Sequence, residues 1–244
     1  MEGGLFRYSP LVPLRDDNPI SSKPRVTIAL IIINIFIFLF QINLGPNQLQ
    51  AFWNTFAIVP IQLTASFRGL VEFPILEWMT LISSQFLHGG FLHIGGNMLY
   101  LWVFGNNIED QLGHVRFIIF YLGCGTLEGL TQWVLDPTSG VPTIGASGAI
   151  AGIMGAYVLR FPRAYILTLI PLIFFFFTIR VPALYFLGFW FVQQALYGLL
   201  SLGENVNVGS GGVAYWAHAG GFVFGIILGP LLGLMPAKRP PWGR

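Results

Sequence analysis

"VTIALIIINIFIFLFQINL", residues Val26 to Leu44, runs for nineteen residues without a charge. A helix rises 1.5 Å per residue, so about 20 apolar residues cross the roughly 30 Å hydrocarbon core of a bilayer. Lys23 and Arg25 precede the run, as in a secretory signal peptide. The run is longer than a typical signal h-region, and no small-residue cleavage site follows it, so it reads as a retained membrane helix. Composition agrees. Of 244 residues, 55% are hydrophobic and only 9% charged, against roughly 25% charged in soluble domains. The 23 phenylalanines and 7 tryptophans suit lipid-facing surfaces and interfacial belts. A net charge of +2 makes no case for nucleic acid. The single cysteine, Cys124, excludes an internal disulfide and reads as a small hydrophobe.

Five more segments have the length and composition of spans: about Phe91 to Ile108, Phe117 to Leu135, Ile144 to Leu159, Pro182 to Leu202 and Val213 to Met235. The apolar piece Tyr165 to Thr178 contains Pro171 and is bounded by Arg163 and Arg180. It reads as an interfacial loop, with a short re-entrant element as the alternative. Gln48 to Leu87 is long and mixed, and reads as a structured loop lying on the membrane. The expected fold is therefore an all-α membrane protein, a six-transmembrane-helix bundle over 26–235 with tails at 1–25 and 236–244. With six spans, one side holds Arg7, Arg15, Lys23, Arg25, Arg116, Arg160, Arg163, Arg180, Lys238, Arg239 and Arg244, and the other only Arg68. The positive-inside rule then places both termini in the cytoplasm of a multi-pass cell-membrane protein.

Polar side chains within spans are costly and are functional candidates by default. They are His93 and Asn97 in the second span, Glu128 and Gln132 in the third, Ser147 in the fourth, Gln193 and Gln194 in the fifth, and His218 in the sixth. The second, fourth and sixth spans all enter from the outer face. Ser147 should lie about four residues inside, roughly 6 Å deep, and His218 about five residues, roughly 8 Å. Asn97 descends from the same side.

A serine hydroxyl is a weak nucleophile that needs an adjacent base, most often histidine, and acyl transfer needs donors aimed at the oxyanion. His93 and Asn97 are four apart on one helix face and could supply them with the Ser147 backbone N–H. Gly145 and Gly148 allow close approach around the serine. Gly221 and Gly225 form a small-xxx-small pattern that would let the fourth and sixth helices pack tightly. Taken alone, Ser147 is a packing serine and His218 a buried hydrogen-bonder; their common depth favours the chemical reading. His88, His93 and His218 lack the H-E-x-x-H helix or matching carboxylate of a metal site, so no metal or other cofactor is expected. Asp16, Asp17, Asp110 and Asp136 fall outside the spans, against an aspartyl protease. "GASGA" lacks the last glycine of the soluble hydrolase elbow. Glu128 reads as a structural acid paired with Gln132 one turn away, or as a third triad member.

"HGGFLHIGGN" (His88 to Asn97), "GASG" (Gly145 to Gly148) and "AHAGG" (Ala217 to Gly221) resemble the H-x4-H-x3-N, G-x-S-G and A-H-x-x-G motifs of the rhomboid intramembrane serine proteases. "FGNNIEDQLGH" and "PLRDDNP" also resemble bacterial members with a six-helix core. The resemblance implies a dyad of Ser147 as nucleophile and His218 as base, His93 and Asn97 as oxyanion donors, and His88 as a loop-ordering residue. Two departures stand out. Met79 and Thr80 occupy the place of a Trp-Arg pair in the first loop, and Ala151 that of an aromatic that stacks on the histidine in some members. The implied function is endopeptidase cleavage of transmembrane protein substrates in the lipid bilayer, with the loop Gly203 to Gly212 as a mobile lid. The rival reading is a catalytically silent rhomboid-like protein that binds transmembrane segments. Substrate identity and oligomeric state are not indicated.

Overall fold

The computed structural model describes residues 11–172, 175–201 and 215–235. The uncharged run forms α1 (Arg25–Gln41), and its burial is inverted relative to a water-soluble helix. Its polar residues Thr27, Asn34 and Gln41 share the buried stripe with Leu30 and Phe38. Ile32, Ile33, Phe36 and Leu39 are exposed, Phe36 by 73%. An apolar outer face with polar groups turned inward is the arrangement a bilayer rewards, because hydrocarbon offers those groups no hydrogen bonds. The start of α1 has no side-chain cap of its own. Glu109 supplies one from a distance, accepting from the Val26 and Thr27 N–H groups at 2.8 and 2.7 Å and from the Thr27 hydroxyl at 2.7 Å. A buried carboxylate on those free N–H groups also meets the positive end of the helix dipole.

The first loop folds as three short helices, α2 (Pro46–Phe56), α3 (Pro60–Phe67) and α4 (Pro74–Ser83). Each opens on a proline, whose fixed φ and missing N–H suit a first helical turn. The next segment is one helical rod: α5 (Phe91–Tyr100), a π turn over Leu101–Gly105 and α6 (Asn106–Leu112). Gly113 ends it at φ 77°, a conformation in which a side chain is strained, and α7 (His114–Leu135) starts at once.

At the centre lies α8 (Ser147–Arg160), buried at every position from Ser147 to Tyr157. A helix enclosed on all sides is necessarily apolar or small all round, as "SGAIAGIMGAY" is. α9 (Ala183–Ser201) and α10 (Tyr215–Leu231) complete the bundle. Among the described residues α7 alone is a helix long and apolar enough to cross a membrane by itself, and α1 and α10 are apolar but shorter.

The all-α expectation is corrected here. Tyr165 to Thr178 is not a loop: β2 (Tyr165–Leu172) and β3 (Phe175–Pro182) form an antiparallel hairpin. β1 (Val12–Asp16), inside the stretch read as a tail, adds to it in the order β1-β2-β3. The strands are rich in β-branched and aromatic residues, which favour extended backbone. Among the described residues, Pro171, which suggested a loop, lies past Val12–Leu169, the last β1–β2 pair, and is paired only with Phe176 of β3, so its missing N–H costs no described β1–β2 bond. Sheet and bundle are joined through Asp16, whose carboxylate accepts from the Tyr157 hydroxyl at 2.6 Å and from Asn107 at 2.7 Å.

Candidate active site

The turn before α8 is held by the first loop. Ile58 and Thr143 exchange backbone hydrogen bonds at 3.2 and 2.7 Å, and the Gly145 N–H donates to the Ser84 carbonyl at 2.9 Å. Gly145 has φ 127°, and a β-carbon there would lie 2.7 Å from His93 Nε2. Both facts require glycine. Ser147 follows as the first residue of α8. It therefore stands at the helix N-terminus, not four residues inside a span as its expected depth had it, because residues 144–146 are not helical.

Glycines on both helices close the gap between α8 and α10. A β-carbon on Gly221 would sit 2.5 Å from the Gly148 carbonyl oxygen, one on Gly225 would overlap the Gly152 backbone, and one on Gly155 the Phe222 carbonyl. The two backbones touch. Ser147 and His218 meet as a result, with Oγ 2.8 Å from Nε2 and exposures of 8% and 4%. The other ring nitrogen of His218, Nδ1, lies 3.0 Å from Gln194 Oε1 on α9. The Trp190 ring, one turn earlier on α9, lies 6.1 Å from the imidazole and tilted by 34°.

Across the site, Asn97 is buried with Nδ2 2.9 Å from His88 Nε2. His88 is fixed through its backbone: its N–H donates to Gln41 Oε1 at 3.1 Å and its carbonyl accepts from Gln41 Nε2 at 3.2 Å. The Gly89 N–H donates to His93 Nδ1 at 3.3 Å. That bond occupies the Nδ1 lone pair, so a neutral His93 carries its proton on Nε2, the atom facing Gly145.

Residues 76–234 match the family model of the Rhomboid domain. The chain belongs to the rhomboid family. It is 32% identical over 178 residues to Rhomboid protein 1, mitochondrial, of Saccharomyces cerevisiae, covering 69% of this chain and 47% of that protein. It is 31% identical over 175 residues to RHOMBOID-like protein 5 of Arabidopsis thaliana, covering 72% and 50%. With Rhomboid protease GluP of Bacillus subtilis it shares 31% identity over 137 residues, 56% of this chain and 24% of that protein. The chain thus spans half or less of the length of these relatives.

This rhomboid is a helical membrane protein, and its departures from the family pattern have structural answers. Ala151 packs beside Gly221, where a β-carbon on the glycine would lie 3.3 Å from that of Ala151. No room remains there for an aromatic, and Trp190 from α9 flanks His218 instead. Met79 is exposed, whereas Thr80 is buried and bonds the Glu77 carbonyl within its own turn. The expected pairing of Glu128 with Gln132 is corrected: no hydrogen bond joins the two, and the Glu128 side chain packs against Gly148, where even a β-carbon would collide with it. The loop 203–212 lies outside the described residues. Gln194 stands in the sequence as one polar span residue among several, with nothing local to mark what it meets beyond its spacing of one helical turn from Trp190.

Proposed function

We propose that this rhomboid is an intramembrane serine endopeptidase that hydrolyses a peptide bond in or beside the transmembrane segment of a partner protein. The observation that carries the reading is the 2.8 Å approach of Ser147 Oγ to His218 Nε2 in a buried site. The name Rhomboid protease GluP given to one relative supports it. His218 Nε2 takes the hydroxyl proton as Oγ attacks the carbonyl carbon, and the carbonyl oxygen becomes an oxyanion. His93 Nε2–H, the Asn97 amide hydrogen not engaged by His88, and the N–H groups at the start of α8 are the donors for it. Collapse expels the amine, which receives the proton from His218. Water then attacks the acyl carbon as its proton passes to His218 Nε2, and collapse releases the new carboxyl terminus while His218 returns the proton to Ser147 Oγ.

The same reading has α1, the α5–α6 rod, α7, α8, α9 and α10 crossing the cell membrane with both termini cytoplasmic. Eleven of the twelve lysines and arginines then lie on one side. A fluorophosphonate tests chemistry and orientation together, because only an activated serine reacts. In detergent the protein should label at Ser147 alone and Ser147→Ala should not label. In intact cells an impermeant probe should reach the site from outside. A folded protein that did not label would favour the silent binder of transmembrane segments, and labelling only from inside would invert the topology.

Removing one oxyanion donor typically costs about 10²–10³ in kcat. Asn97→Ala should therefore slow cleavage about 10²-fold, with the Tm kept close to that of the parent. Full kcat in purified Asn97→Ala would remove Asn97 from the oxyanion site.

A further inference from the structure

We infer that Gln194 is a positioning residue that holds His218 in the tautomer protonated on Nδ1, leaving Nε2 free to accept the Ser147 proton. The inference rests on the reading of His218 as the base. A neutral imidazole has one N–H, and only the tautomer with a bare Nε2 can take a proton from the serine. The serine does not make that choice, since a hydroxyl can donate to Nε2 or accept from it. The Gln194 side-chain oxygen can only accept. It lies 3.0 Å from Nδ1, and both side chains are buried, so the Nδ1 proton has a fixed partner in a site where an unpaired N–H is costly.

The geometry extends beyond one bond. Gln194 and Trp190 stand one turn apart on α9, so the same helix face supplies an acceptor to the edge of the imidazole and an indole beside its ring. Soluble serine proteases give this task to a carboxylate, and an amide turned with its NH2 toward Nδ1 allows the wrong tautomer and costs about 10⁴ in kcat; in this site the amide oxygen is the atom that faces Nδ1. Here the acceptor is uncharged. It orients the ring at less cost than a buried charge, and it offers less stabilisation to the imidazolium once the proton has moved.

The test compares Gln194→Leu with Gln194→Glu in the full-length protein, by fluorophosphonate labelling rate and by cleavage of a transmembrane substrate. Gln194→Leu removes the acceptor at similar volume. It should slow labelling and kcat about 10- to 100-fold, the bias expected when a buried N–H loses its partner, with KM and Tm little changed. Gln194→Glu restores an acceptor and should recover the rate. Its carboxylate also favours the protonated imidazole, so the acid limb of the kcat/KM profile should move to higher pH. A ¹⁵N spectrum should show His218 protonated at Nδ1 in the parent and shifted toward Nε2 in Gln194→Leu. Labelling at the parent rate in Gln194→Leu would overturn the inference alone. So would a loss that follows the Tm and is not recovered by glutamate. A parent protein that fails to label would overturn the protease reading, and this inference with it.

Discussion

Ser147→Ala and His218→Ala are each expected to lower kcat on a transmembrane substrate by about 10⁴–10⁶, and the double variant by no more than either alone. Where a serine and a histidine act as one unit, removing either removes the whole proton-coupled attack, so the losses do not add. The 2.8 Å hydrogen bond between them is the structural reason to expect that behaviour. Neither change should unfold the protein. Ser147→Ala deletes one hydroxyl at a helix start, and His218→Ala leaves a cavity beside Trp190 that the glycine-lined contact below it does not depend on. Purified single and double variants, assayed against the same substrate with Tm measured in parallel, give the answer. Losses that multiplied in the double variant, or substantial turnover in His218→Ala, would mean that the two residues do not form one catalytic unit.

Gly225→Val should have the second-largest effect, and it should show in stability as well as rate. Overpacking a core costs about 1–3 kcal/mol where side chains can yield, and occasionally more. At Gly225 the obstacle is the Gly152 backbone, which cannot move without shifting α8 as a whole. The expected cost is therefore about 3 kcal/mol or more. A displacement of about 1 Å between reacting groups costs on the order of 10² in rate, so the folded fraction should also label at least that much more slowly. Gly188→Ala on α9 is the control, since nothing lies within 4 Å of its added carbon. It should keep both Tm and labelling rate. A Gly225→Val protein that melted and labelled like the parent would show that α8 and α10 are not in backbone contact.

The membrane character of the chain, its apolar helices and the polar residues worth attention were legible in the sequence, for a physical reason. Hydrocarbon imposes its demand on every residue it touches, so apolar length, charge placement and buried polar groups are written locally and can be read without knowing any partner. The glycines at 145, 148, 221 and 225 could be read the same way, as places where something must come close. What each glycine meets was not legible. His93 faces Gly145, Glu128 faces Gly148, and the α8 backbone faces Gly221 and Gly225, all pairings between residues far apart in the chain.

Tertiary structure alone decided three things. Tyr165 to Pro182 pairs with itself and with Val12–Asp16, because a short apolar run is extended or helical according to whether a neighbouring strand is present to take its backbone hydrogen bonds. Ser147 became a helix N-terminus rather than an interior residue because backbone bonds from Ile58 to Thr143 and from Gly145 to Ser84 hold residues 143–145 outside the helix. His218 acquired Gln194 and Trp190 in place of the aromatic missing at Ala151, because the rotation of α9 about its own axis sets which of its side chains face the imidazole. That rotation is fixed by packing against α8 and α10, summed over the whole interface, and no local stretch of α9 encodes it.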